Sequence, residues 1–301
     1  KEMHVFQQVL KGTLRMFYRL RRFTYDNWYF FACHFISCIG LIASPVTIIA
    51  AVNPNLLLSC NWIWYLSLGI PIFYSGWRIK PRKSITINLA RRRTITVRQG
   101  NIWNVKKGVV VIPVNNFLDT QVDDVVIGKG TIHGQFIKRY KEMYPAKDLD
   151  AEIINAIQAD RLQKSGTYKN RKHVNGTHEN AYSLGEVVRL KEGDLQYYLV
   201  VATEFDEDNH VINQPEKYSM VLMTLIKKID RWNSGVPVFL PIIGSGQMGL
   251  SLTKQEVVTE ILSCFNLAEH YVANGGTTIL VYDNDMKELS LNKIKYLFSK
   301  I

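Results

Sequence analysis

From Asn27 to Trp77 the chain carries no Asp, Glu, Lys or Arg, and basic residues crowd both flanks of that gap. Arg15, Arg19, Arg21 and Arg22 precede it, and Arg78, Lys80, Arg82 and Lys83 follow. A stretch this long and uncharged has to be removed from water, and basic flanks are what the cytoplasmic edge of a bilayer attracts. The run from Trp28 to about Val52 is 25 residues, enough to cross a hydrocarbon core of roughly 30 Å at about 1.5 Å per residue. A second run extends from about Leu56 to Trp77, and Asn53-Pro54-Asn55 between them reads as a tight turn. The sequence therefore predicts a transmembrane helical hairpin over 28–78, with spans of about 28–52 and 56–77. Trp28, Tyr29, Tyr74 and Trp77 stand near the basic ends, where interfacial aromatics belong.

Orientation follows from the flanks: both termini and everything after the hairpin are expected in the cytoplasm, with the chain multi-pass in the inner membrane. Residues 1–27 mix Val5, Phe6, Val9, Leu10, Leu14 and Phe17 with Lys11 and four arginines. This basic amphipathic segment suits an anionic lipid surface or a partner subunit. Residues 79–93 form a basic linker and a first strand. Pro45 and Pro71 interrupt the spans, and His34, Ser37, Asn61 and Ser67 suit either an interhelical seam or a pore lining. Two spans per chain cannot enclose an aqueous path, so a homo-oligomer in the lipid bilayer is expected.

The net charge of +11 has a location. Residues 1–98 carry +12 and the remainder −1, so the basic excess belongs to the membrane flanks and no nucleic-acid partner is expected. The four cysteines show no CxxC spacing; they read as small apolar fillers in a reducing compartment, and no metal site is expected.

Beyond residue 84 strands and helices alternate to the end of the chain, which predicts one three-layer α/β/α domain with a mixed sheet over 84–301. Strands are expected near 85–89, 94–97, 108–114, 185–190, 196–202, 236–240 and 277–282. Helices are expected near 132–144, 149–163, 218–232, from 253 and over 286–298. Lys164 to Asn180 reads as an exposed polar loop, free to cover a pocket or meet a neighbouring subunit. The segment VPVFLPIIGSGQMGLSLT, Val236 to Thr253, is strand, glycine loop and helix start. Glycines at alternate positions let backbone N–H groups converge on an anion such as a diphosphate, although the same pattern joins strand to helix in other α/β proteins.

The order TITVRQGNI, VVVIPVNNFLDT, a glycine-containing loop opening a helix, and PIIGSGQMGL resembles the macro domain, an α/β/α module that binds ADP-ribose and related nucleotides. VNNFLDTQVDDVV with GTIHGQF, behind a two-helix membrane hairpin, is similar to the membrane-anchored macro-domain effectors of the bacterial Thoeris anti-phage system. That resemblance implies a TIR-domain, NAD-consuming partner acting through a diffusible nucleotide, with a histidine conjugate of ADP-ribose as ligand and no cofactor. Binding would then switch on membrane disruption, with cell death or growth arrest as the outcome.

Carried onto this chain, the resemblance puts a diphosphate against two loops. Gly244, Ser245, Gly246, Gln247, Met248 and Gly249 match the second, and Gly128, Gly130 and Thr131 match the first. Asn115 matches an asparagine near the distal ribose, followed by Asn116 and Phe117; Tyr282 and Asn284 match positions that stack on or flank adenine, although Tyr282 also suits a core. Where many macro domains read Gly-Asp-Ile this chain reads Gly100-Asn101-Ile102, and Asn101 is expected to accept through its amide oxygen. The first loop lacks the usual hydrolase glycine run and acid, which favours a sensor with no catalytic residues over an enzyme. Asp119, Asp123, Asp124 and His133 surround that loop, where carboxylates either meet a cationic histidine moiety or cap the next element. The alternatives are a membrane-tethered ADP-ribosyl hydrolase or nucleotide phosphatase, and a static tether with a vestigial pocket.

Overall fold

Val109 to Val114 is apolar at almost every position, too continuous for a strand with one wet face. The structure, a computed structural model, describes residues 28–49, 51–52, 62–89, 93–169, 171, 178–233, 235–244, 251–268, 271 and 275–298. In it this segment is the strand β3 (Gly108–Asn115), central and covered on both sides. Its neighbours are β9 (Val238–Pro241) and β7 (Leu195–Phe205), both parallel to it.

In chain order the domain runs β1 (Ser84–Leu89), β2 (Arg93–Gln99), β3, α3 (Ile132–Met143), α4 (Leu149–Asp160), β4 (Lys164–Thr167), β5 (Asn180–Tyr182), β6 (Val187–Glu192), β7, β8 (Val211–Ile212), α5 (Tyr218–Trp232), β9, α6 (Lys254–Leu267), β10 (Thr277–Val281) and α7 (Leu291–Phe298). The main sheet has the order β1-β2-β10-β9-β3-β7-β6. Strands β2, β10, β9, β3 and β7 are parallel, while β1 and β6 close the edges antiparallel. Side chains alternate between two cores, as the pleat requires. Val109, Val111, Tyr198 and Val200 face α5, α6 and α7, while Val110, Ile112, Tyr197 and Leu199 face α3 and α4. The expected α/β/α layering with a mixed sheet is therefore present.

Several boundaries differ from the sequence reading, each for a local reason. Helix α4 stops at Asp160 because Arg161 takes a left-handed backbone, φ 52°, and donates back to the last turn. The closing helix is divided: a 3-10 turn at Asp285–Glu288 is separated from α7 by extended Leu289. The polar stretch 164–180 is not simply an exposed loop, since β4 and β5 pair at its two ends and Arg171 is buried between them. Helix α6 opens on a capping box, Thr253 with Glu256.

The chain divides into two compact units at Arg82 and Lys83. In the first, α1 (Trp28–Ile49) is, among the described residues, the one helix long and apolar enough to cross a membrane. Over the described residues the helix α2 (Trp62–Arg78) has 17 residues with Pro71 inside it, a length of about 25 Å. The two-span hairpin is thus met by one such helix, and the turn at Asn53–Asn55, like the basic segment 1–27, lies outside the described residues. His34 and Tyr74 meet edge-on at 6.4 Å between α1 and α2. Ser37, Ser44 and Thr47 donate to carbonyls four residues back at 2.7, 3.2 and 2.8 Å. Hydroxyls that bond within their own helix impose no polar cost on an apolar surrounding.

One long-range contact ties the first hairpin of the domain to a helix end. Arg93, opening β2, donates to the carbonyls of Phe265 and Asn266, each at 3.2 Å, and of Ala268. These carbonyls end α6, where the helix dipole is negative and partners are missing. Replacing Arg93→Met removes that cap, and the expected loss is about 1–3 kcal/mol, read as a lower thermal midpoint of the full chain in detergent.

Candidate functional site

Parallel strands in an open α/β sheet leave a crevice beyond their carboxyl ends, because the connections there diverge to opposite faces. A cleft of about 980 Å³ occupies that place. Its lining comes from the ends of five neighbouring strands: Gly100 after β2, Tyr282 after β10, Ile242 and Gly244 after β9, Asn115 of β3 and Thr203 of β7.

One part of the cleft presents backbone donors. Thr131 caps α3, its hydroxyl accepting from the Gly134 N–H at 2.9 Å and donating to the Gly128 carbonyl at 2.7 Å. The N–H groups of Ile132 and His133, in the first turn, have no intrahelical acceptor by position, so this end carries the positive part of the helix dipole. Gly128, Gly130, Thr131 and His133 all line the cleft. Gly134 sits so close to the Gly128 carbonyl that a Cβ there would overlap it. Gly244, at φ 94°, turns the chain out of β9 in a conformation that favours glycine.

The other part is aromatic. Tyr282 is 52% exposed and lines the cleft, so it is not a core residue. Trp103 also lines it, with its indole N–H donating to Gln135 Oε1 at 2.8 Å and the Arg139 guanidinium 5.1 Å from its ring. Trp103, Gln135 and Arg139 were not legible as site residues: they lie on a short 3-10 turn and one face of α3, and only the fold brings them together.

Of the residues expected from sequence, Asn101, Ile102, Asn115, Gly128, Gly130, Thr131, His133, Gly244 and Tyr282 meet in this cleft. Ser245, Gly246, Gln247, Met248 and Gly249 lie outside the described residues. Asn116, Phe117, Asp119 and Asn284 do not line it. Asn284 accepts from Lys287 at 2.8 Å beside the 3-10 turn. Asn116 instead clamps the end of β7, its Oδ1 accepting from the Phe205 N–H at 3.0 Å and its Nδ2 donating to the Phe205 carbonyl at 3.3 Å.

Asp119 is the larger correction. It is 1% exposed and held by Arg171 in a two-pronged pair, 3.0 Å to Oδ1 and 2.8 Å to Oδ2. Arg171 also donates to the His178 carbonyl at 2.8 Å and to Asn209 at 2.6 Å, and its guanidinium lies 3.4 Å from the Phe117 ring centre. A carboxylate already matched by a buried guanidinium is not available to a cationic ligand. Asp123 accepts from the Val125 and Val126 N–H groups at 2.9 and 2.8 Å, and Asp124 pairs with Lys129 at 2.7 Å. These acids therefore build the loop.

Asp119 also orients Asn115, which is 3% exposed: Asn115 Nδ2 donates to Asp119 Oδ2 at 2.8 Å, and Asn115 Oδ1 accepts from the Asp119 N–H at 3.2 Å. The Asn101 oxygen accepts from the Trp103 N–H at 3.0 Å. His133 is buried, and that desolvation lowers its pKa to about 4 against the opposing pull of Asp119. Its imidazole is neutral at pH 7. Among the described residues no group of His, Cys, Asp and Glu is arranged to hold a metal ion.

A family model for the macro domain of Thoeris protein ThsA matches residues 95–282. The Thoeris protein ThsA of Bacillus amyloliquefaciens (strain Y2) is 29% identical over 217 residues, covering 70% of this chain and 70% of that protein. Among solved structures, the Oceanobacillus iheyensis macrodomain with ADP aligns at a TM-score of 0.45 and 16% identity, over 72% of this chain and 98% of that one. The macrodomain of Thermus aquaticus DarG aligns at a TM-score of 0.38 and 17% identity, over 62% of this chain and 96% of that one.

Two outcomes follow from the buried groups. Asp119→Ala strands a guanidinium whose side chain is 3% exposed, and the expected cost is about 3–5 kcal/mol; the paired change Asp119→Leu with Arg171→Met recovers most of it in thermal unfolding. For His133, the unfolded ring takes up a proton near 6.5 and the folded ring near 4, so its contribution is complete above pH 6.5 and lost as pH falls toward 4. The unfolding free energy of the native chain should fall over that window by roughly 3 kcal/mol more than that of His133→Gln, read from denaturant titrations at each pH.

Proposed function

The chain belongs to the family of Thoeris ThsA macro domains, and on that premise we propose that it acts in anti-phage defence by binding an ADP-ribose-related nucleotide in the cleft. The observation that carries this reading is the division of one cleft into a donor-lined part and an aromatic part. A helix N-terminus with a glycine loop suits a diphosphate, an exposed aromatic ring suits a base, and both stand along the same row of strand ends.

The proposed ligand is the histidine conjugate of ADP-ribose, made from NAD by a TIR-domain partner. Binding shifts the chain toward an arrangement that disrupts the membrane through its apolar N-terminal segments, which assemble as a homo-oligomer; the outcome is cell death or growth arrest. A ligand moves such an equilibrium only by binding the active arrangement more tightly than the resting one.

A sensing role is favoured over hydrolysis by the state of the carboxylates. Among the described residues, the acids lining the cleft are Asp124 and Asp285, and they are paired with Lys129 and Lys254. Neither is free to serve as a general base toward a water at the distal ribose.

Calorimetric titration of the full chain in detergent with ADP-ribose and with its histidine conjugate tests the reading. Both should bind, the conjugate more tightly. Gly130→Glu places a carboxylate at the donor-lined part, where a Cβ meets nothing within 4 Å, so the fold should survive while affinity falls roughly tenfold or more. Absence of heat with either nucleotide would leave a tether without a ligand, and release of free ADP-ribose from the conjugate would turn the reading toward an enzyme.

A further inference from the structure

The end of β3 is fixed by a residue that lies outside the cleft. Asn115 lines the cleft, yet the sheet ladder does not set its direction: the register between β3 and β7 slips by one residue after Val114, and Asn115 pairs with Thr203 where Ala202 would follow. The turn beyond it carries Leu118 at φ 56°, with the Leu118 N–H donating to the Asn115 carbonyl at 3.1 Å. The Asn115 side chain is held by Asp119, its Nδ2 donating to Asp119 Oδ2 at 2.8 Å and its Oδ1 accepting from the Asp119 N–H at 3.2 Å. A carboxylate only accepts, so it decides which end of the amide is the NH2. An amide has two N–H donors and two acceptor positions; Asp119 takes one of each, and one of each remains for the cleft.

Asp119 is placed in turn by Arg171. The oxygen that receives Asn115, Asp119 Oδ2, is the one that accepts from Arg171 Nη2 at 2.8 Å, while Nη1 donates to Oδ1 at 3.0 Å. The two side chains are 3% and 2% exposed. Arg171 is itself fixed from three other sides, by the His178 carbonyl, Asn209 Oδ1 and the Phe117 ring, and it does not line the cleft. In a pair this buried, a carboxylate deprived of its guanidinium has to turn toward water or take up a proton, and either change alters its bond to the Asn115 amide.

Strand order gives Asn115 its place along a ligand. Tyr282 follows β10 and Asn115 ends β3, with β9 and Gly244 between them, a separation of about 10 Å across two strand spacings. With a base on Tyr282 and a diphosphate at the donor-lined part, the group that reaches Asn115 is attached beyond the diphosphate. One free donor and one free acceptor side by side suit a hydroxyl, which accepts and donates in its turn.

We infer that Arg171 is a positioning residue: acting through Asp119, it holds the Asn115 amide at the angle that recognises a hydroxylated group beyond the diphosphate. The segment 164–180 thereby takes part in ligand discrimination through a residue that does not meet the ligand. The inference rests on the nucleotide-binding reading above and deepens it.

The test is calorimetry on the full chain in detergent with ADP-ribose and with ADP, which ends at the diphosphate. The proteins compared are the native chain, Asn115→Ala, the paired change Asp119→Leu with Arg171→Met, and the three changes together. The paired change should lower affinity for ADP-ribose about tenfold and leave that for ADP within about threefold, and Asn115→Ala should do the same. The triple variant should match Asn115→Ala, because nothing is left to position once the amide is gone. Arg171→Lys keeps the charge and loses the fork; it should move the ratio in the same direction, and it replaces the paired change if that chain does not unfold cooperatively. An unchanged ratio, an equal loss for both nucleotides, or a triple variant about tenfold weaker than Asn115→Ala overturns the inference and leaves the nucleotide-binding reading standing. Failure of both nucleotides to bind the native chain overturns the two together.

Discussion

Five parallel strands, apolar on both faces, have to be covered twice, and this requirement arranges the rest of the domain. Strands β2, β10, β9, β3 and β7 send alternate side chains into two separate cores, one under α5, α6 and α7 and the other under α3 and α4. Because parallel strands need crossover connections, the segments leaving their carboxyl ends must rise and part toward opposite layers. The cleft is the space left where they part. Its position is a consequence of sheet burial, and so is the approach of Asn101, Asn115, Thr131, Gly244 and Tyr282 from segments far apart in sequence.

Within that frame the polar residues divide into those that hold the loop and those that remain open to the cleft. The turn after β3 has Leu118 in a left-handed conformation at φ 56°, unfavourable for a branched side chain. It is held there by the network of Asn115, Asp119, Arg171 and Asn209, with Phe117 beneath the guanidinium. A buried pair of this kind offsets its desolvation only when the remaining donors also find acceptors. Arg171 comes close: four contacts with Asp119, His178 and Asn209 are made, and its Nε is left without a partner. The polar stretch 164–180 is thereby anchored at one residue to the segment that orients Asn115.

How far this was legible follows from what each signal measures. The period-two and unbroken apolar runs marked β3, β7, β9 and β10 because burial on both faces leaves few polar positions, and the glycine and threonine of 128–131 marked a helix start by cap chemistry alone. Partners across the chain leave no such local trace. VNNFLDT reads as a run of site residues, yet Phe117 and Asp119 turn inward to Arg171, which stands 52 positions from Asp119 in a stretch with no periodicity, and Asn116 turns to the backbone of Phe205. The same applies to Asn101: its replacement of an acid was visible, whereas the engagement of its oxygen by Trp103 required the turn itself. In the uncharged segment, composition alone suggested two spans where one described helix has the length.

One hairpin joins the entry of the chain into the domain to the rim of the cleft. Strand β1 is that entry, five residues after α2 ends. It pairs along its whole length with β2, from Ser84 against Arg98 to Leu89 against Arg93. At one end β2 delivers Gly100 and Asn101 to the cleft; at the other, Arg93 holds the last carbonyls of α6. Helix α6 in turn begins at Lys254, ten residues after Gly244. The β1–β2 hairpin is therefore fastened to the two ends of one circuit, strand end to cleft and strand start to helix. A displacement of either the Asn101 turn or α6 loads the same hairpin, since close-packed elements shift as units and do not deform continuously. Arg93, at the opposite end of its strand from the cleft, is thus part of the frame that holds the Asn101 turn in place.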